Sequence, residues 1–179
     1  NGGTFSKDPT KYLAEGLQAV EINGVYSIIP ADYEKTAYAG LYKKDKTFYV
    51  YTAAGFEGLN KMFADKSAGR DAHVKLMADI DMTGKTWTPV DSHADSAFEI
   101  EEFDGQGYTI SNLTINGQAM FTRFAGLGDV TFKNVTFDNA TVNSNGNLNT
   151  SILTVQTYQN TLLDNVDVKN STITGGYKV

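Results

Sequence analysis

Few side chains in this 179-residue chain are of types that carry out catalysis. There is no cysteine, which excludes disulfides, thiolate metal sites and thiol nucleophiles, and the only histidines are His73 and His93. No nucleophile-elbow motif accompanies either histidine. A calcium-dependent lyase needs a basic residue beside clustered carboxylates, and the only arginines are Arg70 and Arg123, neither of which is predicted to lie beside stacked acids. The sequence therefore predicts no catalytic residues and no cofactor.

Asp79 and Asp81 are the closest approach to a metal-binding motif. Calcium needs six to eight oxygen ligands, so two carboxylates one residue apart are a weak signal. We predict no metal ligands, and the sequence leaves open whether a Ca²⁺ site lies beside these two residues.

Tyrosine is the other residue type with chemical potential, because a rigid amphipathic ring can stack on a sugar. Seven of the ten tyrosines fall within the first 51 residues. Strand alternation would put Tyr49 and Tyr51 on one face, with Phe48 and Val50 on the other. We predict a ligand-binding set of Tyr38, Tyr42, Tyr49 and Tyr51. The alternative is a small β-domain that uses tyrosine to cover a thin core.

Composition limits the class of protein. With 41% hydrophobic and 20% charged residues, the chain is a folded globular protein with room for one sizeable domain or two small ones. The net charge of −6 argues against nucleic acid as a partner. No apolar run approaches 18 residues, so no transmembrane segment is predicted.

Four hexapeptides share one pattern, apolar-x-Asx-apolar-x-apolar. Their Asx residues are separated by 33, 22 and 31 positions, which predicts a basic period of about 22 residues with insertions. Inward residues at i, i+3 and i+5 require a sharp bend within a strand, and Asn and Asp tolerate the left-handed conformation of such a corner. The predicted ladder of corner residues is Asp79, Asn112, Asn134 and Asn165. The pattern predicts a mainly β parallel β-helix of about four coils; an antiparallel sandwich with similar strands is the alternative.

Two stretches carry a resemblance to a known family. "LMADIDMTGKTWTPV" (76–90) and "FDGQGYTISNLTI" (103–115) resemble the GLUG-type repeat proteins, which are right-handed β-helix proteins of the gut bacterial cell surface, and more distantly the pectate-lyase-like superfamily. The resemblance covers about residues 47–175, although the usual Gly-Leu-Phe-Gly-like stretch appears only as Ala119-Met120-Phe121. It implies a right-handed β-helix, an extracellular or surface location, and a role in adhesion or glycan contact.

The chain divides into two predicted regions. Residues 1–51 form a β-rich lead-in segment, with a short helix over 9–15 and a hairpin over 19–29 around Asn23-Gly24. Residues 52–179 contain a capping helix followed by the parallel β-helix.

The capping helix is predicted from Thr52, a good N-cap residue, to about Lys66. Its apolar stripe would cover the exposed core at the start of the stacked coils, with Met62 and Phe63 as cap residues.

The predicted function is a non-enzymatic extracellular surface module for adhesion or glycan contact, as a fragment of a longer repeat protein. Its partner would be a glycan or a protein of a host or cell surface. The alternatives are a β-helix-type polysaccharide lyase or hydrolase, and a passive structural spacer. The repeat is still running at Leu163 to Val168, with no capping signal after it. This predicts either further coils or end-to-end self-association.

Overall fold

The computed structural model describes residues 4–93, 95, 97–144 and 149–174. Strands dominate these residues, and α1 is the single α-helix among them, so the predicted mainly β class is confirmed. The ends of the two predicted regions, 1–3 and 175–179, lie outside the described residues.

The lead-in segment opens with a three-stranded antiparallel sheet. In it β1 (Thr4–Phe5) pairs with β3 (Val25–Pro30), and β3 pairs along its whole length with β2 (Leu17–Ile22). The turn residues Asn23-Gly24 have φ angles of 53° and 80°, the left-handed values that a tight hairpin turn requires. The predicted hairpin is therefore present and slightly longer than expected.

A three-residue 3₁₀-helix, Thr10–Tyr12, stands where the sequence predicts a helix over 9–15. The Asp8 carboxylate accepts a hydrogen bond from the Thr10 backbone N–H at 2.9 Å. The helix ends early because Leu13 is already extended, with ψ of 145°.

Three further strands join the lead-in segment to the rest of the chain. β4 (Glu34–Lys35), β5 (Leu41–Lys44) and β6 (Thr47–Val50) pair in antiparallel order, and β6 then pairs in parallel with β7 (Ala72–Leu76). The two predicted regions thus share one continuous sheet.

Helix α1 (Ala53–Ala64) follows β6 and ends two residues before the predicted boundary. Thr52 is its N-cap, and the Thr52 hydroxyl accepts a hydrogen bond from the Gly55 backbone N–H at 2.9 Å. No helix among the described residues is long and apolar enough to cross a lipid bilayer.

The remaining strands follow one another in four layers. The first layer contains β7, β8 (Ile80–Asp81), β9 (Thr86–Trp87) and β10 (Val90–His93). The second layer contains β11 (Ile100–Asp104), β12 (Thr109–Ser111), β13 (Thr114–Asn116) and β14 (Phe121–Ala125). The third layer contains β15 (Val130–Asp138) and β16 (Thr141–Asn143), and the fourth contains β17 (Thr161–Lys169) and β18 (Thr172–Thr174).

Each layer pairs in parallel with the next. Val74 pairs with Phe103, Phe103 with Phe132, and Phe132 with Leu163, at separations of 29, 29 and 31 residues. The predicted period of 22 residues is therefore wrong. Ile110 pairs with Phe137 and not with Phe132, because the hexapeptides at 110 and 132 lie at different corners of their layers.

The strands of the described residues form four sheets, none of which closes on itself. The largest has nine strands and mixes the antiparallel strands β4, β5 and β6 with parallel strands of the four layers.

An aromatic core lies inside the layers and against α1. The rings of Phe103 and Phe132 stack with centroids 5.3 Å apart. From α1, Phe56 contacts Trp87 at 4.8 Å, and Phe63 stacks on Phe98 at 4.4 Å between ring centroids. Met62 is partly buried against the same core. α1 therefore covers the core at its first-layer end, as the sequence predicts.

The fourth layer lacks an equivalent cover among the described residues. Phe132 and Phe137 of β15 are fully buried, whereas their partners in β17, Leu163 and Val168, are 56% and 52% exposed. A concavity of about 620 Å³ opens at this end, and its lining includes Phe124, Leu163 and Val168.

Candidate functional site

Three of the four candidate tyrosines lie on the outer face of β5 and β6. In β6, Phe48 and Val50 face the core and are fully buried, while Tyr49 points to the opposite face. Tyr42 of β5 is the register partner of Tyr49, and Tyr51 follows directly after β6. The Tyr42 and Tyr51 rings meet edge to face with centroids 5.7 Å apart.

The β2–β3 hairpin packs over this outer face. Ile22 and Ile29 of the hairpin form a small second core with Tyr42, which is only 3% exposed. Tyr33 stacks on Tyr49 with ring centroids 4.0 Å apart. These contacts leave Tyr42 with no ring face open to a ligand, in agreement with the alternative that tyrosine covers a thin core.

Tyr38 does not join the other three tyrosines. Its ring packs against α1, where a Cβ at Gly58 would collide with it. The Lys61 ammonium lies 5.9 Å from the ring centroid. The four predicted ligand-binding tyrosines therefore do not form a single site.

A cleft of about 710 Å³ lies between the hairpin sheet and a corner of the first two layers. Tyr33 and Tyr51 contribute rings from one side, and Tyr108 contributes a ring from the turn after β11. Thr4, Asn23 and Ser27 add polar groups, and the remaining lining residues are Ile22, Val25, Ile28, Pro30, Met77 and Ala78. This cleft is the candidate functional site, and of the four predicted tyrosines only Tyr51 lines it.

Sequence reasoning did not single out Tyr108 or Tyr33 as site residues. Tyr108 follows the Gly105-x-Gly107 turn, in which Gln106 and Gly107 have positive φ angles of 54° and 84°. Tyr108 is partly buried against the main core and also lines the cleft beside the hairpin, although it comes from a distant part of the sequence. The sequence feature that could have pointed to Tyr108 is its position directly after the two glycines of this turn.

The phenols of Tyr33 and Tyr51 are neutral over the physiological range. Burial raises the pKa of Tyr51 to about 12, with smaller contributions from the nearby Tyr42, Tyr49 and Tyr108. Burial, followed by a hydrogen bond with Tyr49, raises the pKa of Tyr33 well above its usual value. Because these hydroxyls stay protonated, each can both donate and accept a hydrogen bond.

No residue lining the described cleft carries a formal charge at neutral pH. The cleft therefore offers a ligand aromatic faces, hydroxyl groups and an amide, without an ion-pairing partner. This combination suits an uncharged, hydroxyl-rich molecule with apolar C–H faces.

The predicted asparagine ladder is divided between two corners of the layers. At one corner, Asn165 donates its side-chain amide to Asn134 Oδ1 at 3.2 Å. At the other, Asn139 donates to Asn112 Oδ1 at 2.6 Å. These four asparagines have left-handed φ angles between 53° and 57°, the conformation expected of an Asx corner. Asp79, the remaining member of the predicted ladder, does not have a positive φ.

Asp79 and Asp81 have structural partners. Asp79 Oδ1 accepts a hydrogen bond from the Thr109 backbone N–H at 2.8 Å. Asp81 Oδ1 accepts from the Asn112 amide at 2.8 Å and from the Thr83 backbone N–H at 3.0 Å, and the Asn112 bond is the largest cause of its lowered pKa. Among the described residues, no cluster of three or more His, Asp or Glu side chains is arranged to hold a metal ion.

The carboxylates of Asp91, Glu102 and Asp104 lie in ion pairs between layers. Arg123 binds Asp91 through two hydrogen bonds of 2.7 and 2.8 Å. Lys133 Nζ lies 2.6 Å from Glu102 Oε2 and 3.7 Å from Asp104 Oδ2. These pairs link consecutive layers.

Comparison of the chain with protein-family models, with curated proteins and with solved structures found no match.

Proposed function

We propose that this protein is a non-enzymatic extracellular surface module that contacts glycans, built on a right-handed parallel β-helix. The observation that carries the proposal is the uncharged cleft in which Tyr33, Tyr51 and Tyr108 meet. Adhesion to a glycan-bearing surface is the biological role that such a cleft would serve.

The parallel pairing of successive layers supports the β-helix. Strands of three layers lie in register at Ile80, Ile110 and Phe137, and separately at Trp87, Ile115 and Val142. Each layer returns to the same sheet by a crossover connection. About 98% of such connections are right-handed, which favours a right-handed path.

The chemistry of the cleft supports a saccharide ligand. Sugar rings present C–H faces that pack on aromatic rings, and hydroxyls that bond to phenols, amides and Ser or Thr side chains. Since the lining has no formal charge, we propose uncharged glycans as the ligand class and not polyuronates. The surface location rests on the resemblance to GLUG-type repeat proteins, and surface labelling of intact cells with an antibody would test it.

The direct experiment is a screen against neutral and acidic oligosaccharides, followed by calorimetry on the best ligand. Tyr108→Ala removes one ring, and we expect it to weaken binding at least about tenfold, as central aromatic anchors do. Tyr108→Phe keeps the ring and should weaken binding less. Tyr158→Ala is the matched control, because Tyr158 is 71% exposed and lies outside the cleft.

The pH profile adds a second test. Because the pKa of the Tyr51 phenol is about 12 and that of Tyr33 is also raised, affinity should stay flat between about pH 5 and 9. It should also be insensitive to salt, since no charge lines the cleft. Equal loss of affinity in the Tyr108 and Tyr158 variants would contradict the assignment of the cleft.

The two alternatives give different results in the same screen. A passive spacer would bind no glycan while remaining folded. A polysaccharide lyase would release products with unsaturated ends from polyuronates, detectable by ultraviolet absorbance. The outer-face carboxylates Asp91 and Glu102 lie in ion pairs with basic residues, which supports a structural role for them.

A further inference from the structure

A chemically reactive dipeptide lies at the edge of the cleft. Asn23 and Gly24 form the turn between β2 and β3, and Asn23 lines the cleft together with Tyr51 and Tyr108. In an Asn-Gly sequence the backbone nitrogen of the glycine can attack the side-chain carbonyl carbon of the asparagine. Glycine favours this attack because it has no Cβ to hinder the approach. The reaction, deamidation, converts a neutral amide into a carboxylate.

The two reacting groups of this turn are accessible. Asn23 and Gly24 are both exposed. Within the part of the chain that the structure describes, neither the Asn23 side-chain amide nor the Gly24 backbone N–H takes part in a hydrogen bond. Apart from its chain neighbours, no described heavy atom lies within 4 Å of the place that a Cβ on Gly24 would occupy. Since only the end pair of the hairpin, Ile22 and Val25, flanks the turn, it can leave its left-handed conformation locally.

A second Asn-Gly dipeptide, Asn116-Gly117, has the same sequence but different surroundings. Asn116 is the last residue of β13 and pairs with Asn143 of β16. Asn116 Oδ1 accepts a hydrogen bond from the Asn143 amide at 3.4 Å. A Cβ on Gly117 would lie 2.5 Å from Pro89 Cγ, so packing restricts the backbone there. Attack at Asn116 therefore requires part of the second layer to open first.

We propose that Asn23 is a deamidation site whose modification changes the ligand preference of the cleft. The Gly24 nitrogen forms a bond to Asn23 Cγ, the bond from Cγ to the side-chain nitrogen breaks, and ammonia leaves with the proton of the Gly24 N–H. Water then opens the cyclic imide to give aspartate or isoaspartate. The overall reaction consumes a water molecule and releases ammonia, and nothing is oxidised or reduced.

The product changes the chemistry of the cleft. A carboxylate at Asn23 would be the first formal charge among the described residues that line it. The amide N–H donors are replaced by an oxygen that only accepts hydrogen bonds. An uncharged glycan loses the hydrogen bond that the amide donates, whereas a saccharide with a primary ammonium group gains an ion-pairing partner. This consequence rests on the glycan-binding function proposed above, and the deamidation itself does not.

Mass spectrometry tests the modification without any ligand. The full chain is incubated in mildly alkaline buffer, which speeds removal of the Gly24 amide proton, and is then digested with trypsin. The four Asn-Gly dipeptides of the sequence fall in separate tryptic peptides, 1–7, 12–35, 86–123 and 134–169. Those at Asn1 and Asn145 lie outside the described residues.

The comparison is between Asn23 and Asn116. In the folded chain we expect Asn23 to deamidate at least about tenfold faster, because Asn116 must first break hydrogen bonds of its layer. In urea, where the fold is lost, the two sites should react at similar rates. The unfolded chain is therefore the matched control for the intrinsic reactivity of the dipeptide.

Binding by variants tests the change in preference. Asp-Gly and Gly-Gly suit the same tight turn, so Asn23→Asp and Asn23→Gly should keep the fold. Asn23→Asp should bind a neutral oligosaccharide about fivefold more weakly than the parent, and a protonated glucosamine oligosaccharide about fivefold more tightly at low salt. Asn23→Gly removes the amide without adding a charge, so it should show only the first change. Asn116→Asp adds the same charge outside the cleft and should show neither.

Distinct results would overturn each half of the proposal. Equal rates at Asn23 and Asn116 in the folded chain, or reaction at Asn23 only in urea, would contradict the assignment of the site. If Asn23→Asp binds both saccharides as the parent does, the modification does not change the preference. If the parent binds no saccharide, the proposed function and the change in preference are both wrong, whereas the mass spectra still decide whether Asn23 is a deamidation site.

Discussion

The two ends of the layered core are built from the same kind of strand but differ in their surroundings. At the first layer, α1 places Phe56 and Phe63 across the core, and both side chains are at most 1% exposed. At the fourth layer, Leu163 and Val168 occupy the inward positions of β17 and are 56% and 52% exposed.

The difference shows that an inward-facing pattern does not bury a side chain by itself. In a stacked architecture each layer contacts only its neighbours, so burial needs a layer or a cap on both sides. Phe132 has β11 and β17 as neighbours and is fully buried, whereas Leu163, its register partner, has only β15 among the described strands.

The largest expected effect is on the free energy of unfolding, when one core side chain is removed at each end of the layers. Phe63→Ala should lower the free energy of unfolding by about 3–5 kcal/mol, because it leaves a cavity among Phe48, Trp87 and Phe98. Leu163→Ala should cost at most about 1 kcal/mol, since more than half of that side chain is already in water. Urea unfolding of both variants measures the difference, and equal costs would mean that the fourth layer is covered in solution.

The features of the fold that could be predicted from the sequence are those set by interactions between neighbouring residues. The left-handed corners at Asn112, Asn134 and Asn165 were predictable, because the conformation depends on the residue itself and its immediate neighbours. The layer length was not, since corners at two different positions share the pattern apolar-x-Asx-apolar. Only the pairing of Ile110 with Phe137 separates them, and that contact is set by tertiary packing.

The candidate site was less predictable than the fold. Alternation along β6 correctly places Tyr49 opposite Phe48, because side chains of a strand alternate between its faces. It does not reveal that the β2–β3 hairpin folds back and buries Tyr42, or that Tyr108 meets Tyr33 and Tyr51 in one cleft. The first contact joins residues 13 to 20 positions apart and the second joins residues more than 50 positions apart, and no local pattern encodes either of them.

Hydrogen exchange can sharpen the comparison with two matched amides. Thr141 in the third layer donates to Leu113 O, and its register partner Thr172 in the fourth layer donates to Ala140 O, both at 2.8 Å. Because the two amides belong to the same residue type and have hydrogen bonds of equal length, the main difference between them is the layer in which each lies. We expect the Thr172 amide to exchange at least about 100-fold faster, corresponding to about 2.7 kcal/mol of opening free energy. Similar protection factors would show that the two layers open together.

The smallest expected effect compares two asparagine corners. Asn134 and Asn165 have the same φ angle of 53°, in a region that a β-branched residue rarely adopts. Asn134→Val should therefore lower the free energy of unfolding by about 1–3 kcal/mol, through backbone strain and the loss of the hydrogen bond from Asn165. Asn165→Val should cost less than about 1 kcal/mol, because the fourth layer can open locally without unfolding the rest.

A glycine substitution at each corner distinguishes the effect of backbone strain from the effect of losing the side-chain hydrogen bonds. Asn134→Gly tolerates the left-handed conformation, so it removes only the side-chain hydrogen bonds and should recover part of the loss seen with valine. Thermal or urea denaturation of the valine and glycine variants at Asn134 and at Asn165 gives the comparison. If valine at both corners costs the same, the fourth layer unfolds with the others, and the contrast between the two ends would be one of exposure alone and not of stability.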